Sequence, residues 1–400
     1  MSIAQILFSI VFVGLLLAVV YYYVLLGASV TTLRRAEEQE VRNDDVKFAL
    51  IIPAHNEEPV IDRTVLNLLK MKYQSSLFDI VVIADNCDDQ TARVAREAGA
   101  ICVERSSEPV GRKGYALSWY LESALPDDQS YEALIIFDAD SNPPSDFLQV
   151  MSSRIRAGST VLQGKHVISN PENSFFTRMA DIDMRINNRL RNQARTNMGL
   201  SCRLMGDAMC FERTVLEEYP WGAHSLVEDR EYGIQLIRRG IRIEYVPEAR
   251  SFGQAASGWS RAKSQRMRWT GGVQSLRRRF VKDLIVSGIR DRNLSAIDQA
   301  IELILPPFSI LTAVAVVLLL IQALFAGLRV SYSLELSAGV TIALLLVPVF
   351  GLLLDRAPLS LYPYVFLGPI YTLWRNWIGL VTLLRSENLQ WIRTKRTEES

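Results

Sequence analysis

Apolar residues crowd toward both ends of the chain, and the middle alternates short apolar runs with polar, periodic stretches. Residues 3–26 are almost wholly apolar and uncharged, enough for the ~20 residues that cross a bilayer. No basic residue precedes this run and no clear small-residue cleavage site follows it, which argues against a signal peptide. In the middle, residues 47–53, 78–84, 101–103 and 133–137 are apolar runs without strict alternation, the pattern of strands buried on both faces. Helical spacing follows each of the first three, through Val60, Ile61, Val65 and Leu68, then Val94 and Ala95, then Leu117, Tyr120 and Leu121. Alternating strand and helix predicts an α/β domain with a mostly parallel sheet and helices on both faces. Residues 161–167 and 241–246 read as further strands, 206–211 as a strand or a closely approaching loop, and 175–197 as a long polar helix.

From Ser260 the pattern turns basic and amphipathic, with Arg261, Lys263, Arg266, Arg268 and Arg277 to Arg279 interleaved with Trp259, Trp269 and Phe280. Such a face suits a membrane interface. A nucleic-acid patch is the alternative, and the apolar spans that follow (305–328 and 338–354) favour the membrane. A third apolar stretch, 361–384, is interrupted by Arg375 and Asn376, and charge deep in a bilayer is expensive. Arg34 and Arg35 place the N-terminus outside and the next domain in the cytosol, and Arg385, Arg393, Lys395 and Arg396 place the tail there too. Parity then makes 361–384 re-entrant or interfacial. The expected organisation is a transmembrane helix (1–30), a charged linker (31–46), a cytosolic α/β domain (47–255), amphipathic interfacial helices (256–300), and a membrane region with a basic tail (301–400).

The net charge of +1 over 400 residues gives no reason to expect a nucleic-acid partner. Cys87, Cys102, Cys202 and Cys210 are scattered without a C-x-x-C pair, so they read as reduced packing residues rather than a zinc site or disulfide framework. Neither G-x-G-x-x-G nor a P-loop follows the first strand.

The strand at 133–137 stops at Asp138-Ala139-Asp140. Ligands of parallel sheets lie beyond the carboxyl ends of the strands, and paired carboxylates suit a hard divalent cation; the same residues also suit a surface turn. Glu57 follows the first strand and Asp85 ends the second. Lys113 lies between Gly111 and Gly114, and Glu228-Asp229 precedes a helix. Helix capping accounts equally for Glu57 and Glu228-Asp229. Gln265, Arg268 and Trp269, at i, i+3 and i+4, share a helix face.

In this order, Asp85, Asp138-Ala139-Asp140, Glu228-Asp229 and the Q-x-x-R-W of Gln265 to Trp269 resemble the membrane-bound, inverting family-2 glycosyltransferases of GT-A fold, the group of cellulose, chitin, hyaluronan and poly-N-acetylglucosamine synthases. The chain departs from the group at Asn86-Cys87, where many members have Gly-Ser, at Val227, where Thr is usual, and in having fewer spans. The resemblance implies a nucleotide diphosphate sugar donor, a UDP-sugar first, with Mg²⁺ or Mn²⁺ held by Asp138 and Asp140. It implies donor contacts from Glu57, Asp85, Lys113, Asp138, Gln265 and Arg268, acceptor contacts from Trp269, Asp207 and Glu228, and Asp229 as general base. The activity implied first is extension of a β-linked polysaccharide in a bacterial plasma membrane, with a homo-oligomer or export partner completing a pore. The alternatives are transfer of one sugar to a lipid acceptor, and a nucleotide-sugar sensor without turnover.

Overall fold

The computed structural model describes residues 3–30, 45–110, 112–125, 130–324 and 333–384. Arg34 and Arg35, Gly111, most of the expected linker, the end of the 305–328 span and the basic tail lie outside them.

Among the described residues, seven strands form one sheet: β1 (Phe48–Ala54), β2 (Phe78–Asp85), β3 (Ile101–Arg105), β4 (Ala133–Ile136), β5 (Val161–Ile168), β6 (Met209–Glu212) and β7 (Ile243–Gly253), in the order β3-β2-β1-β4-β6-β5-β7. β1 pairs parallel with β2 and β4, β2 with β3, and β5 with β7, whereas β6 runs antiparallel to β4 and β5. The helices are α1 (Ile3–Val30), α2 (Glu58–Leu68), α3 (Thr91–Glu97), α4 (Lys113–Trp119), α5 (Phe147–Arg156), α6 (Phe175–Ile186), α7 (Ala194–Asn197), α8 (Arg213–Glu218), α9 (Glu228–Arg238), α10 (Trp259–Arg290), α11 (Leu294–Ile304), α12 (Phe308–Leu324), α13 (Leu334–Leu354), α14 (Tyr362–Phe366) and α15 (Gly368–Leu384). A π-helical turn, Asn187–Gln193, joins α6 to α7, so the polar helix expected over 175–197 is one helical run with a widened middle.

The unbroken runs have the physical cause inferred for them. On β1, Phe48, Leu50, Ile52 and Ala54 enter the core beneath α2, α3 and α5, while Ala49 and Ile51 enter the core beneath α4, α9, α10 and α11. Both faces are covered, so both sets of side chains must be apolar.

The last strand outruns its expected end at 246. Pro247 reads as a terminator because it cannot donate to the ladder. The pairing instead jumps from Gly164↔Val246 to Lys165↔Arg250, and residues 247–249 bulge out at the break. The expected domain boundary at 255 is also not a boundary of the core. Leu276, Phe280 and Leu284, spaced i, i+4, and Ala296, Ala300 and Leu303 of α11 are buried in the same cluster as β1 and α9. The stretch from 256 to 300 therefore caps the sheet, and its C-terminal half is part of the domain rather than a separate interfacial element.

Among the described residues, two helices are long and apolar enough to cross a membrane, Gln5–Val30 within α1 and Leu334–Leu354 (α13); α11 and α12, bent by 56°, make a third if counted as one broken span. Phe12, Leu15, Ala18, Tyr22 and Leu26 of α1 pack on Leu311 and Ala315 of α12 and on Val340, Leu344 and Val347 of α13, and Leu190 of the π turn enters the same cluster. The polar helix thereby ties the sheet domain to the apolar helices. Residues 361–384 are broken between α14 and α15, where Tyr371, Trp374 and Ile378 pack on Met179 and Ile182 of α6. The charge of Arg375 is met by Asp183 at 3.3 Å. Arg266, expected to face lipid head groups, is likewise drawn inward: it pairs with Asp183 at 3.4 Å and donates to the Tyr371 hydroxyl at 2.8 Å.

Gly164 marks the tightest point of the bulge, since a β-carbon there would lie 2.7 Å from the Ala249 carbonyl and 2.9 Å from the Ala208 β-carbon. Gly164→Ala should cost about 1–3 kcal/mol by overpacking, read as a lower melting temperature; an unchanged melting temperature would contradict the packing described.

Candidate active site

Parallel strands present their carboxyl ends along one edge, and ligands of such sheets gather there. Asp85 is the last residue of β2, Asp138 follows β4 by two residues, and Glu57 lies between β1 and α2. Lys113 opens α4, and Glu228 and Asp229 form the first turn of α9. Gln265, Arg268 and Trp269 lie in α10. All of these, with Asp140, line one cavity of about 930 Å³. Its other end is lined by Tyr22, Leu305, Phe308 and Val347, on or beside the apolar helices.

At the strand end, the Lys113 ammonium donates to Asp138 Oδ1 and to the Gly206 carbonyl, each at 2.5 Å. Burial alone would lower its pKa, but the carboxylates of Asp138, Glu228 and Asp207 hold it above its ordinary value. Gly114 lets α4 meet α9, because a β-carbon there would strike the Ala223 carbonyl and crowd Glu228. Asp229 lies beside Gly206 and Glu228 beside Gly114. Burial, then the neighbouring Asp229, pushes Glu228 up to about 7 against the pull of Lys113 and Arg268. Burial also raises Asp229, opposed by the Arg230 backbone and Lys113. The first turn of α9 thus carries two carboxyl groups whose pKa values both lie above the ordinary carboxylate range.

The Asp138 side chain stays 42% exposed even with Lys113 upon it, so it remains open to a ligand. Asp138 and Asp140 are hard oxygen donors. Among the described residues, no group of three or more His, Cys, Asp or Glu side chains is placed to hold a metal. A cation bound here would therefore take these two carboxylates and complete its shell with phosphate and water oxygens, the usual manner of Mg²⁺. In that form the residues fit a cation that arrives with a diphosphate.

Asp207 does not have the surroundings expected of an acceptor contact. It is 1% exposed and absent from the cavity wall. Its Oδ1 accepts from the Ser141 hydroxyl at 2.5 Å and the Asp138 N–H at 3.3 Å, and its Oδ2 meets His166 Nδ1 at 2.9 Å. Burial would raise its pKa, but His166, Ser141 and Ser251 bring it down to about 2. Asp207 is a brace beneath Asp138. His166, missed in the sequence, is the other half of that brace. Burial lowers its pKa, and Asp207, Asp138 and Asp140 more than restore it. A histidine within an apolar strand pattern carries no signal of such a role. Asp85 reaches the cavity wall, with its Oδ1 taken up by Arg105 and Asn86. The Glu57 N–H donates to Thr91 Oγ1 at 2.8 Å. Arg266 lies over the Trp269 ring, 5.3 Å from its centroid, and so helps fix that indole.

A family model described as "Glycosyltransferase like family 2" matches residues 45–272. A beta-monoglucosyldiacylglycerol synthase of Nostoc sp. is 28% identical over 254 residues, 60% of this chain and 52% of the relative. Glucomannan 4-beta-mannosyltransferase 7 of Arabidopsis thaliana is 23% identical over 266 residues, 63% of this chain and 48% of the relative. The chain spans about half the length of the curated relatives it matches. A mannosyltransferase of Pyrobaculum calidifontis, solved in complex with GDP-Man and Mn²⁺, shares the fold over 95% of this chain and 100% of its own, with a TM-score of 0.60 at 17% identity.

A carboxyl group that ionises near 2 when folded and near ~3.9 when unfolded contributes stability that is present above pH ~4 and lost as pH falls toward 2. Asp207→Asn should remove that increment, about 2–3 kcal/mol, and flatten the acid limb of a stability–pH curve. A mutant curve parallel to that of the wild type would contradict the brace.

Proposed function

The chain belongs to the glycosyltransferase-like family 2, and from that membership and the shape of its cavity we propose that it transfers a single sugar from a nucleotide diphosphate donor to a lipid hydroxyl at a membrane face. The observation that carries this reading is the continuity of the cavity, from Asp138 and Asp140 at the strand ends to Tyr22, Leu305, Phe308 and Val347 beside the apolar helices. A polar donor fits the first end, and an acyl-linked acceptor entering from a bilayer fits the second.

Glu57 and Asp85 border the part of the cavity nearest β1 and β2, where the nucleoside rests, and uridine is the first candidate. Asp138 and Asp140 would hold a divalent cation, Mg²⁺ or Mn²⁺, which when bound would supply Lewis-acid charge to the diphosphate. Lys113 stands on Asp138 and exchanges that contact for the diphosphate. The Arg268 Nε is buried without a hydrogen-bond partner among the described residues, so it has a donor free for a phosphate oxygen, and Gln265 lies one turn earlier. Asp229 takes the proton from the acceptor hydroxyl as its oxygen attacks the anomeric carbon from the face opposite the nucleotide, which inverts that carbon. Glu228 shares the proton load, and the Trp269 ring supports the acceptor.

A growing β-linked polysaccharide is the second reading, favoured by the flat indole face of Trp269. It ranks below the lipid because the cavity runs on to Tyr22, Leu305, Phe308 and Val347, on or beside the apolar helices. Placement in a bacterial plasma membrane, with the sheet domain cytosolic, goes with either reading.

With a panel of nucleotide sugars and total membrane lipid as acceptor, Asp229→Asn should lower transfer by about 10²–10⁴-fold and leave donor binding unchanged. Near-normal transfer by this variant would remove Asp229 from its role. Burial raises the pKa of Asp229 above its ordinary value, so its base form is lost on the acid side. The value of kcat/KM should therefore fall as the pH is lowered from about 8 toward 5, and a flat profile over that range would argue against a carboxylate base.

A further inference from the structure

Next to Asp229 in the chain, at Arg230, the cavity wall turns basic. Arg191 of the π turn, Arg195 of α7, Arg203 and Arg230 all line it, and all converge on Glu302 of α11. The distances to Glu302 are 2.9 Å from Arg191, 2.7 Å from Arg195, 3.2 Å from Arg203 and 3.3 Å from Arg230. Arg195 also pairs with Asp298 at 2.6 Å. Four guanidinium groups thus share Glu302 and Asp298, with Asp229 acting on Arg230 from one side, so the arginines still outnumber the carboxylates in a buried place. The Nε groups of Arg203 and Arg230 are buried without hydrogen-bond partners among the described residues. Burial lowers the pKa of both, Glu302 opposes this, and their arginine neighbours add to it, so that Arg203 falls to about 10. Buried charge is normally paired, and unpaired donors beside excess positive charge form a site that lacks its anion.

We propose that this cluster binds the phosphate of the acceptor, which makes the acceptor a lipid whose headgroup carries both a phosphate and a free hydroxyl. The inference rests on the lipid-acceptor reading above and narrows it. Arg230 directly follows Asp229, so a phosphate held here sets a neighbouring headgroup hydroxyl beside the base. On the other side, Leu305 and Phe308 follow Glu302 closely in the chain and line the same cavity, in position to receive acyl chains. Guanidinium forks suit phosphate oxygens. The donor diphosphate has its own positive partners in Lys113, Arg268 and the cation, so the cluster is not needed for it.

The test is binding to the full chain in detergent, without turnover, of three probes: dihexanoylphosphatidylglycerol, dihexanoylglycerol and inorganic phosphate. The phospholipid should bind about tenfold or more tighter than either of the others, the weight of a charge-assisted hydrogen bond, and Arg203→Gln should abolish that preference. Because Arg203 adds to an existing excess of positive charge, the same substitution should not lower the melting temperature of the ligand-free protein; a purely structural arginine would. If the variant does not fold, the three probes on the wild type still decide. Equal binding of the charged and neutral lipids overturns the phosphate site and leaves the lipid acceptor standing. Inorganic phosphate binding as tightly as the phospholipid makes this a free-anion site and overturns the assignment. Binding of neither lipid overturns both this inference and the lipid-acceptor reading.

Discussion

Charge taken out of water must be matched, and that constraint organises the molecule. Around the cavity, Asp85 is held by Arg105, Asp207 by His166, Asp138 by Lys113, and Asp183 by Arg266 and Arg375. For Asp207 and Asp183, burial alone would raise the pKa, and the paired cations bring it below the ordinary carboxylate value instead. The balance fails in two places. At the strand ends, Asp138, Asp140, Glu228 and Asp229 outnumber Lys113 and Arg268. Toward the apolar helices, four arginines outnumber Glu302 and Asp298. An imbalance of this kind is tolerated where a ligand cancels it, so the two failures are also the two ends of the proposed reaction: a cation with a diphosphate at one, an anionic headgroup at the other.

The same constraint explains how much could be read in advance. The sheet was legible because burial on both faces writes itself into local runs such as those of β1, β2 and β4. The motif residues were legible because strand ends and helix starts are local signals, and Glu57, Asp85, Lys113, Asp138, Asp140, Glu228, Asp229 and the α10 face do share one cavity. Pairing over long distances left no such trace. His166 and Asp207 are 41 residues apart, Arg195 and Asp298 are 103, and Arg191 and Glu302 are 111. The partners that make Asp207 a brace rather than an acceptor contact, and the Asp183 that holds Arg266 inside rather than at the lipid, are therefore invisible in local sequence. The strand at 241–246 runs on through Pro247 because a bulge in the register with β5 takes up residues 247–249.

The helical run from α6 through the π turn to α7 joins these levels. Its residues supply Leu190 to the packing of α1, α12 and α13, Asp183 to the pairing of Arg266 and Arg375, and Arg191 and Arg195 to the basic end of the cavity. One element thereby fixes the sheet domain against the apolar helices and shapes the space between them. This explains why a helix so rich in arginine and asparagine is folded into the middle of the molecule rather than exposed on its surface.

The central claim is that one sugar passes to a lipid, and the product itself tests it most directly. Membrane vesicles carrying the chain, incubated with radiolabelled nucleotide sugars and Mn²⁺, are extracted with chloroform and methanol. The account predicts that the label moves into the organic phase as a lipid bearing a single sugar. Label retained in the aqueous phase as a high-mass polymer, with none in the lipid extract, would contradict it.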